Sequence, residues 1–433
     1  MSQYPTCVAL LDCNNFFASC ERMLDPSLEG VPVAVLSSND GCLIARSEEV
    51  KELGVPMGAP WFKWKDFWNE KGVRLFSLNM QLYTETSARI MNLLIERLPK
   101  VQVYSIDEAF LDLSGMEKYF DLEKFLQQLR HDIRQQIGIP VSIGVAPSKA
   151  LAKMANAIAK KKKTTYVEYL MDADVREAVL KATPVEKVWG VGRRNAVKMH
   201  DIGVQTAWDL ACLNPRTVQK MRSVIEGRLV LELRGQSCLA IETPSDVKHH
   251  IGSSRSFGEK ITTLENLQGA FTFLMHLATR KLMRQQSACK TIYLHVYIGK
   301  PRSPDRKTVS KSVTLPTASH YPPVLLQEVL RVLAEELYQP GYRYYKAGVV
   351  LCELSSMAEL RSNLFFEQSQ GKQSKVLELM TQLNRNQPKP QVEWASFKVE
   401  EGTKPWIPKC DHMSSPSATH ITDDEMETAR PWW

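Results

Sequence analysis

No apolar run in this chain approaches the roughly 18 residues needed to cross a bilayer, and the opening MSQYPTC lacks a basic leader followed by a long apolar core. A membrane-spanning or exported protein is therefore not expected, and a cytoplasmic one is. Paired cysteines are equally scarce. The nine cysteines, at 7, 13, 20, 42, 212, 238, 289, 352 and 410, are odd in number and include no CxxC spacing. That pattern argues against a zinc site or disulfide framework and for reduced, mostly buried thiols. A large excess of one charge is also absent, since 55 Lys and Arg against 48 Asp and Glu leave only +7. The distribution of charge says more than the sum. Between Asp246 and Glu353, 15 Lys and Arg face 8 Asp and Glu, so one segment carries an excess as large as that of the whole chain. A basic segment of this kind suits a polyanion.

At 433 residues the chain exceeds the roughly 250–300 at which single cores stop growing, so several domains are expected. VALLD and PVAVLSS read as buried strands. Residues 44–53, within GCLIARSEEVKELG, have helical spacing that stops at Gly54. YTETSARIMNLLIERL is a helix with apolar Ile90, Leu93, Leu94 and Leu98 and a proline stop, and VQVYSIDEAFLDL is a strand pair. DLEKFLQQLRHDIRQQIG places Leu122, Phe125, Leu129 and Ile133 on one helical face; PVSIGVA is a further strand and KALAKMANAIAK a further helix. Residues 1 to about 170 thus read as a mixed α/β catalytic region with a small inserted subdomain. TPVEKVWGVGRRNAVKMHDIGVQTAWDLA changes character, to helices joined by the turns WGVG and DIGV. After a linker at ETPSDVKHH, strand-like SSRSFGEKIT, KTIYLHVYIGK and YKAGVVLCEL and a helix around 267–285 predict a compact α+β domain of two helices on a sheet. From Ser356 onward the chain is polar and irregular, with a short helix expected at 376–383.

The chemistry concentrates in three carboxylates. Asp12 ends the first strand, and Asp107 and Glu108 lie in the hairpin YSIDEAF. An isolated Asp-Glu pair is an ordinary turn, but grouped acids at strand ends repel one another and call for a cation. Hard oxygen ligands suit two Mg²⁺ ions, one at an attacking hydroxyl and one on nucleotide phosphates. That is the chemistry of a nucleotide polymerase. Downstream, the amides of Gly190 and Gly192 at a helix start, followed by Arg193 and Arg194, can bind a backbone phosphate without reading its base. Two rivals are a nucleotide cyclase, which needs no duplex and against which WGVGRR and the basic segment argue, and a non-enzymatic DNA- and clamp-bound scaffold at stalled replication forks, against which the intact acid cluster argues.

DCNNFFASCER, GCLIARSEEVKELGVPMG, YSIDEAFLDLSG, GVAPSKALAKMAN, WGVGRR and SRSFGE follow in order from Asp12 to Glu259. The set resembles the Y-family DNA polymerases. The resemblance implies a right-hand α+β polymerase of several domains: palm at 1–15 and 78–172, small fingers at 16–77, and a helical thumb with helix-hairpin-helix at 173–240. A linker at 241–245, a DNA-binding little finger at 246–355 and a partner-binding tail at 356–433 complete it. It implies Mg²⁺ on Asp12, Asp107, Glu108 and the backbone carbonyl of Cys13, with dNTP substrates. Phe17 matches the steric gate under the sugar of the incoming nucleotide, and Asn14, Asn15 and Phe16 pack beside it or line the triphosphate cradle. Lys51 and Lys160 match cationic positions that hold the triphosphate, with Lys161, Lys162 and Lys163 solvated or facing DNA.

By the same resemblance Glu48 stands where many relatives place a tyrosine on the triphosphate, and the neighbouring Arg46 is expected to contact the nascent base pair or phosphate instead. Ser105 and Lys149 are lesser candidates, and Asp112 reads as a solvent-facing strand residue. Gly190, Gly192, Arg193, Arg194 and Arg255 are expected on DNA. Asn363, Leu364 and Phe365 resemble part of a sliding-clamp peptide, with Arg361 and Ser362 replacing the usual glutamine and leucine. The implied activity is error-prone translesion synthesis in the SOS response to DNA damage, with no proofreading exonuclease. The implied partners are primed and damaged DNA, a processed UmuD-like dimer, the RecA filament and the beta sliding clamp, near the nucleoid and away from any membrane.

Overall fold

Successive residues of the strand Val8–Cys13 serve two different cores, and that alternation sets up everything around Asp12. Ala9, Leu11 and Cys13 pack with the helices Met80–Arg97 and Leu122–Ile137. Val8 and Leu10 pack on the other face with the helix Lys149–Lys162. Asp12 follows the second parity, so its side chain emerges on the side of that helix. The computed structural model describes residues 7–242, 247–299 and 306–359, with 376–377, 379–380, 382–383, 392, 394–395, 405–407 and 409–414.

Val8–Cys13 is the middle of a five-stranded sheet ordered Val101–Val103, Glu108–Asp112, Val8–Cys13, Val141–Ala146, Val167–Tyr169. It runs antiparallel to both neighbours, with Asp12 opposite Glu108 on one side and Ser142 on the other. The Lys149–Lys162 helix starts at Ser148, whose hydroxyl accepts from the Leu151 amide, and lies unusually close to the sheet. Gly144 makes that approach possible: an added Cβ there would fall 2.1 Å from the Asn156 nitrogen. Asn156 then pins the helix down by donating to the carbonyls of Leu10 (3.2 Å) and Ser142 (2.8 Å).

Between the first strand and the Met80–Arg97 helix is inserted a small unit built on a three-stranded sheet ordered Leu43–Arg46, Val33–Leu36, Arg74–Phe76. Its own core gathers Ala34, Leu43, Val50, Ala59 and Trp68. Here the expected helix over 44–53 is corrected: Leu43–Arg46 is a strand paired with Val33–Leu36, and only Glu48–Glu52 is helical. Edge pairing outweighs the local period for this short stretch. The helix ends, as expected, at Gly54, which has φ +78°.

Helices Ala173–Ala182, Arg193–His200, Ala207–Cys212, Pro215–Met221 and Val224–Leu233 follow. Asp172, Thr206, Asn214 and Ser223 cap four of them through their side chains, Thr206 in a reciprocal box with Asp209. Their apolar faces share one core with Ala150, Leu151 and Met154 of the Lys149–Lys162 helix.

The basic segment forms an antiparallel four-stranded sheet ordered Lys307–Ser319, Ser287–Ile298, Tyr344–Ser356, Ile251–Ile261. The helices Leu264–Arg284 and Pro322–Val332 pack with the sheet in a common core. The strand Lys307–Ser319 was not foreseen: it is an edge strand whose residues are mostly exposed, so it shows no apolar alternation. Of the expected linker 241–245, residues 243–245 lie outside the described residues. Val376, Leu377, Leu379, Met380, Gln382 and Leu383 are helical, in line with the short helix expected there. Among the described residues no helix is long and apolar enough to cross a membrane.

Candidate active site

Asp12 and Glu108 are Cα partners on adjacent strands, and the Asp107 carbonyl accepts the Cys13 amide at 2.8 Å. The three acidic residues therefore share one end of the central sheet. Asp107 is oriented by Ser105, whose hydroxyl donates to Asp107 Oδ1 at 2.6 Å while accepting the Asp107 amide at 3.3 Å. Ser105 thus takes a positioning part in the turn. Asp112, at the far end of the Glu108–Asp112 strand, is half-buried, and its side chain accepts the Ser114 amide at 3.1 Å in a solvent-exposed turn.

Two lysines from one helix face meet these acids. Lys160 Nζ lies 2.5 Å from Asp12 Oδ1, and Lys153 Nζ lies 3.0 and 2.9 Å from the two Glu108 oxygens. Lys153 is also held over the rings of Tyr104 (4.5 Å) and Trp189 (5.6 Å), and Trp189 Nε1 donates to the Tyr104 hydroxyl at 3.1 Å. Lys153 was not singled out from sequence. Its signal was available, because Lys153 and Lys160 are two helical turns apart and share a face. Lys149 instead donates to Gln102 Oε1 and the Ala240 carbonyl, away from the acids, and burial lowers its pKa to about 8.

Burial pushes the Asp12 carboxyl up to about 7 against the pull of Lys160, with the charges of Asp107 and Glu108 adding to the rise. The close ammonium does not offset loss of water around a carboxylate that is 7% exposed. Burial likewise raises Asp107 above the usual carboxylate range. Among the described residues no three acidic, His or Cys side chains already converge as a metal cage; Glu108 is turned to Lys153. The donor set is nonetheless suited to a hard divalent cation, being grouped carboxylate oxygens that repel one another and draw two lysine ammonium groups to them.

Beside the acids, Asn15 adopts the left-handed conformation (φ 50°) and starts the helix Phe16–Leu24. Asn14 is fixed on both sides: its amide donates to the Pro140 carbonyl at 2.8 Å and its side-chain oxygen accepts Ser142 Oγ at 2.7 Å. The turn separates the two phenylalanines. Phe16 is buried in the core, whereas Phe17 is part-exposed and lies flat on Tyr83, with ring centroids 4.3 Å apart and planes at 11°. Tyr83 is fixed in turn by its hydroxyl, which donates to Glu21 Oε1 at 2.6 Å.

The remaining cationic candidates are less free than expected. Lys51 pairs with Glu48 at 3.0 Å, and Glu48 also takes Lys163 at 3.1 Å. Lys162 pairs with Glu168 at 2.7 Å, so of Lys161, Lys162 and Lys163 the last two are held in ion pairs and not simply solvated. Arg46 donates to the Val55 carbonyl. Lys51 and Arg46 therefore belong to the inserted unit, while Lys160 is on the acids. Elsewhere, Gly190 has φ +90°, Gly192 caps the Arg193–His200 helix, and Arg193 and Arg194 are exposed. Arg255 stacks on Phe273 with its guanidinium 4.5 Å from the ring centroid. Asn363, Leu364 and Phe365 lie outside the described residues.

Comparison with known proteins identifies the family and the fold of the chain. The impB/mucB/samB family matches residues 11–157, and the C-terminal domain of that family matches residues 248–364. Protein UmuC of Salmonella typhimurium is 36% identical over 96% of this chain and 98% of its own. A protein named DNA polymerase IV from Oceanobacillus iheyensis is 31% identical over 70% of this chain and 71% of its own. In fold, a Y-family DNA polymerase chimera of Dbh and Dpo4 superposes with a TM-score of 0.66, at 20% identity over 81% of this chain and 99% of the chimera. An insertion ternary complex of Dbh DNA polymerase superposes with a TM-score of 0.55, at 22% identity over 81% of this chain and 99% of that chain. The chain belongs to the impB/mucB/samB family and has the fold of the Y-family DNA polymerases.

Proposed function

We propose that this Y-family polymerase carries out its template-directed translesion DNA synthesis at Asp12, Asp107 and Glu108. The observation that carries the reading is the pairing of Asp12 with Glu108 across two strands, with Asp107 adjoining and two lysines of one helix facing them. In this reading residues 1–15 and 78–172 are the palm, 16–77 the fingers, 173–240 the thumb, and 246–355 the little finger.

The reaction is nucleotidyl transfer: the primer 3′ oxygen bonds the α-phosphorus of a dNTP, and pyrophosphate leaves. Two Mg²⁺ ions on the oxygens of Asp12, Asp107, Glu108 and the Cys13 carbonyl would acidify that hydroxyl and neutralise the phosphates. The chain's own residues do the rest. Ser105 orients Asp107. Lys160, which lies on Asp12, would turn its ammonium to the incoming triphosphate. Phe17, backed by Tyr83, forms a flat plate against which a 2′-hydroxyl would collide, so deoxyribonucleotides are selected by exclusion. The inserted three-stranded unit is small, which leaves the nascent pair loosely enclosed and lets a distorted template base fit at the expense of fidelity.

The four-stranded unit and the exposed Arg193 and Arg194 would hold primer and template by their phosphates. The SOS setting, the processed UmuD-like dimer, the RecA filament and the beta sliding clamp complete the reading, supported by the 36% identity to UmuC. Single-nucleotide insertion opposite each of the template bases, with each dNTP supplied alone, tests it. The inserted nucleotide should follow the template; incorporation that ignores the template, or that proceeds without a primer, overturns it.

A further inference from the structure

Residues 405–407 and 409–414 reach from the four-stranded unit to Glu21, which in turn holds the Tyr83 ring behind Phe17. The segment is anchored by Trp406, which is 4% exposed and seated against Gly269 of the Leu264–Arg284 helix. A Cβ at Gly269 would fall 2.6 Å from the indole, so the helix carries a notch that this ring fills. The Glu259 amide donates to the Pro405 carbonyl at 3.2 Å.

Beyond the anchor, the chain bonds to the three-stranded unit. The Lys409 amide donates to Asn39 Oδ1 at 3.1 Å and the Asp411 amide to Asp40 Oδ2 at 2.8 Å. Asn39 and Asp40 both have positive φ, at 64° and 48°, which aims their side chains from one turn. Asn39 Nδ2 also donates to the Ser256 and Phe257 carbonyls, each at 3.3 Å, so that turn grips strand and tail together. Next, buried Ser77 and His412 exchange bonds: the Ser77 amide donates to the His412 carbonyl and the His412 amide to Ser77 Oγ, both at 2.9 Å.

The last link reaches the plate. Ser414 Oγ accepts from Asn79 Nδ2 at 2.9 Å and donates to Glu21 Oε1 at 3.3 Å. Glu21 is 1% exposed, and the same oxygen accepts the Tyr83 hydroxyl at 2.6 Å. Tyr83 is the ring on which Phe17 lies.

We propose that residues 405–407 and 409–414 form an intramolecular strap that ties the four-stranded unit to the three-stranded unit and, through Ser414 and Glu21, positions Tyr83 behind Phe17. Sugar selection is thereby coupled to docking of the C-terminal segment, and whatever draws that segment away loosens the plate. The coupling rests on the reading of Phe17 as the sugar-excluding residue. Ser414, Glu21 and Tyr83 are positioning residues, since in this arrangement they act on the nucleotide through Phe17.

The test uses the full-length protein with Ser414→Ala, which cuts only the last link, and Trp406→Ala, which frees the anchor. Kinetic constants for insertion of a dNTP and of its ribonucleotide are measured opposite one template base, with hydrogen exchange of the Ser77 amide followed in parallel. The strap predicts a ribonucleotide kcat/KM raised about fivefold in Ser414→Ala, the size of the hydrogen bond lost to Glu21, with dNTP kcat unchanged. It predicts faster Ser77 exchange in Trp406→Ala. Unchanged sugar discrimination in Ser414→Ala overturns the coupling, and unchanged Ser77 exchange in Trp406→Ala overturns the strap. Phe17→Ala in the same assay separates the two claims. If it fails to admit ribonucleotides, the gate reading fails; if it admits them while Ser414→Ala does not, the strap inference alone fails.

Discussion

Burial raises the Asp12 pKa to about 7 although Lys160 lies 2.5 Å away. With the folded value above the ordinary 3.8, the neutral form stabilises the metal-free protein fully at low pH, and that contribution is lost as pH rises through about 7. A divalent cation competes with the same proton. Binding of Mn²⁺ as a probe, followed by titration calorimetry, should therefore tighten as pH rises, by up to ~tenfold per unit below about 7. Affinity independent of pH would mean that Asp12 is not a ligand. Phe17 carries a second expectation at this scale. Phe17→Ala removes the plate stacked on Tyr83 while leaving Asp12 and its partners in place. Ribonucleotide insertion relative to deoxyribonucleotide should rise about 10- to 100-fold, measured by steady-state kinetics; full rejection of ribonucleotides would remove Phe17 from that role.

The Lys149–Lys162 helix is the element on which the site depends, since it brings Lys153 and Lys160 to the acids. Its seat on the sheet requires Gly144, where the Asn156 nitrogen leaves no room for a side chain. Gly144→Ala should cost at least about 3 kcal/mol by overpacking, read from urea unfolding, and should depress activity by moving both lysines. A variant as stable and active as the parent would contradict this account of the packing. The helix itself was legible in KALAKMANAIAK, and so were the strand ends bearing the acids, because apolar period and strand punctuation are local signals. The partner of Lys153 was not legible, since it depends on the Asp12–Glu108 register, which only the folded sheet sets. The strand Leu43–Arg46 was misread for the same reason: its pairing with Val33–Leu36 is invisible in a short stretch whose spacing also suits a helix.

At the scale of the whole molecule, the basic excess between Asp246 and Glu353 folds into one unit that carries the four-stranded sheet. Contacts to phosphates release counterions, so affinity for primed duplex should fall about tenfold or more between roughly 50 and 200 mM salt, with little dependence on sequence, in an anisotropy titration. A flat response would argue against phosphate binding. The order of the motifs made the family legible, whereas the tie from Asp411 to Asp40 was beyond reach, because it joins residues 371 positions apart through a backbone amide that no residue pattern marks. The central claim is that Asp12, Asp107 and Glu108 perform nucleotidyl transfer past damage on DNA held by the rest of the chain. The most direct measurement is Mg²⁺-dependent primer extension over an undamaged and an abasic template, with a processed UmuD-like partner and activated RecA supplied. It compares the wild type with Asp107→Ala/Glu108→Ala, while DNA binding is monitored separately. The account predicts extension past the abasic site by the wild type and its loss in the double variant with DNA binding retained; extension that survives removal of both carboxylates would contradict it.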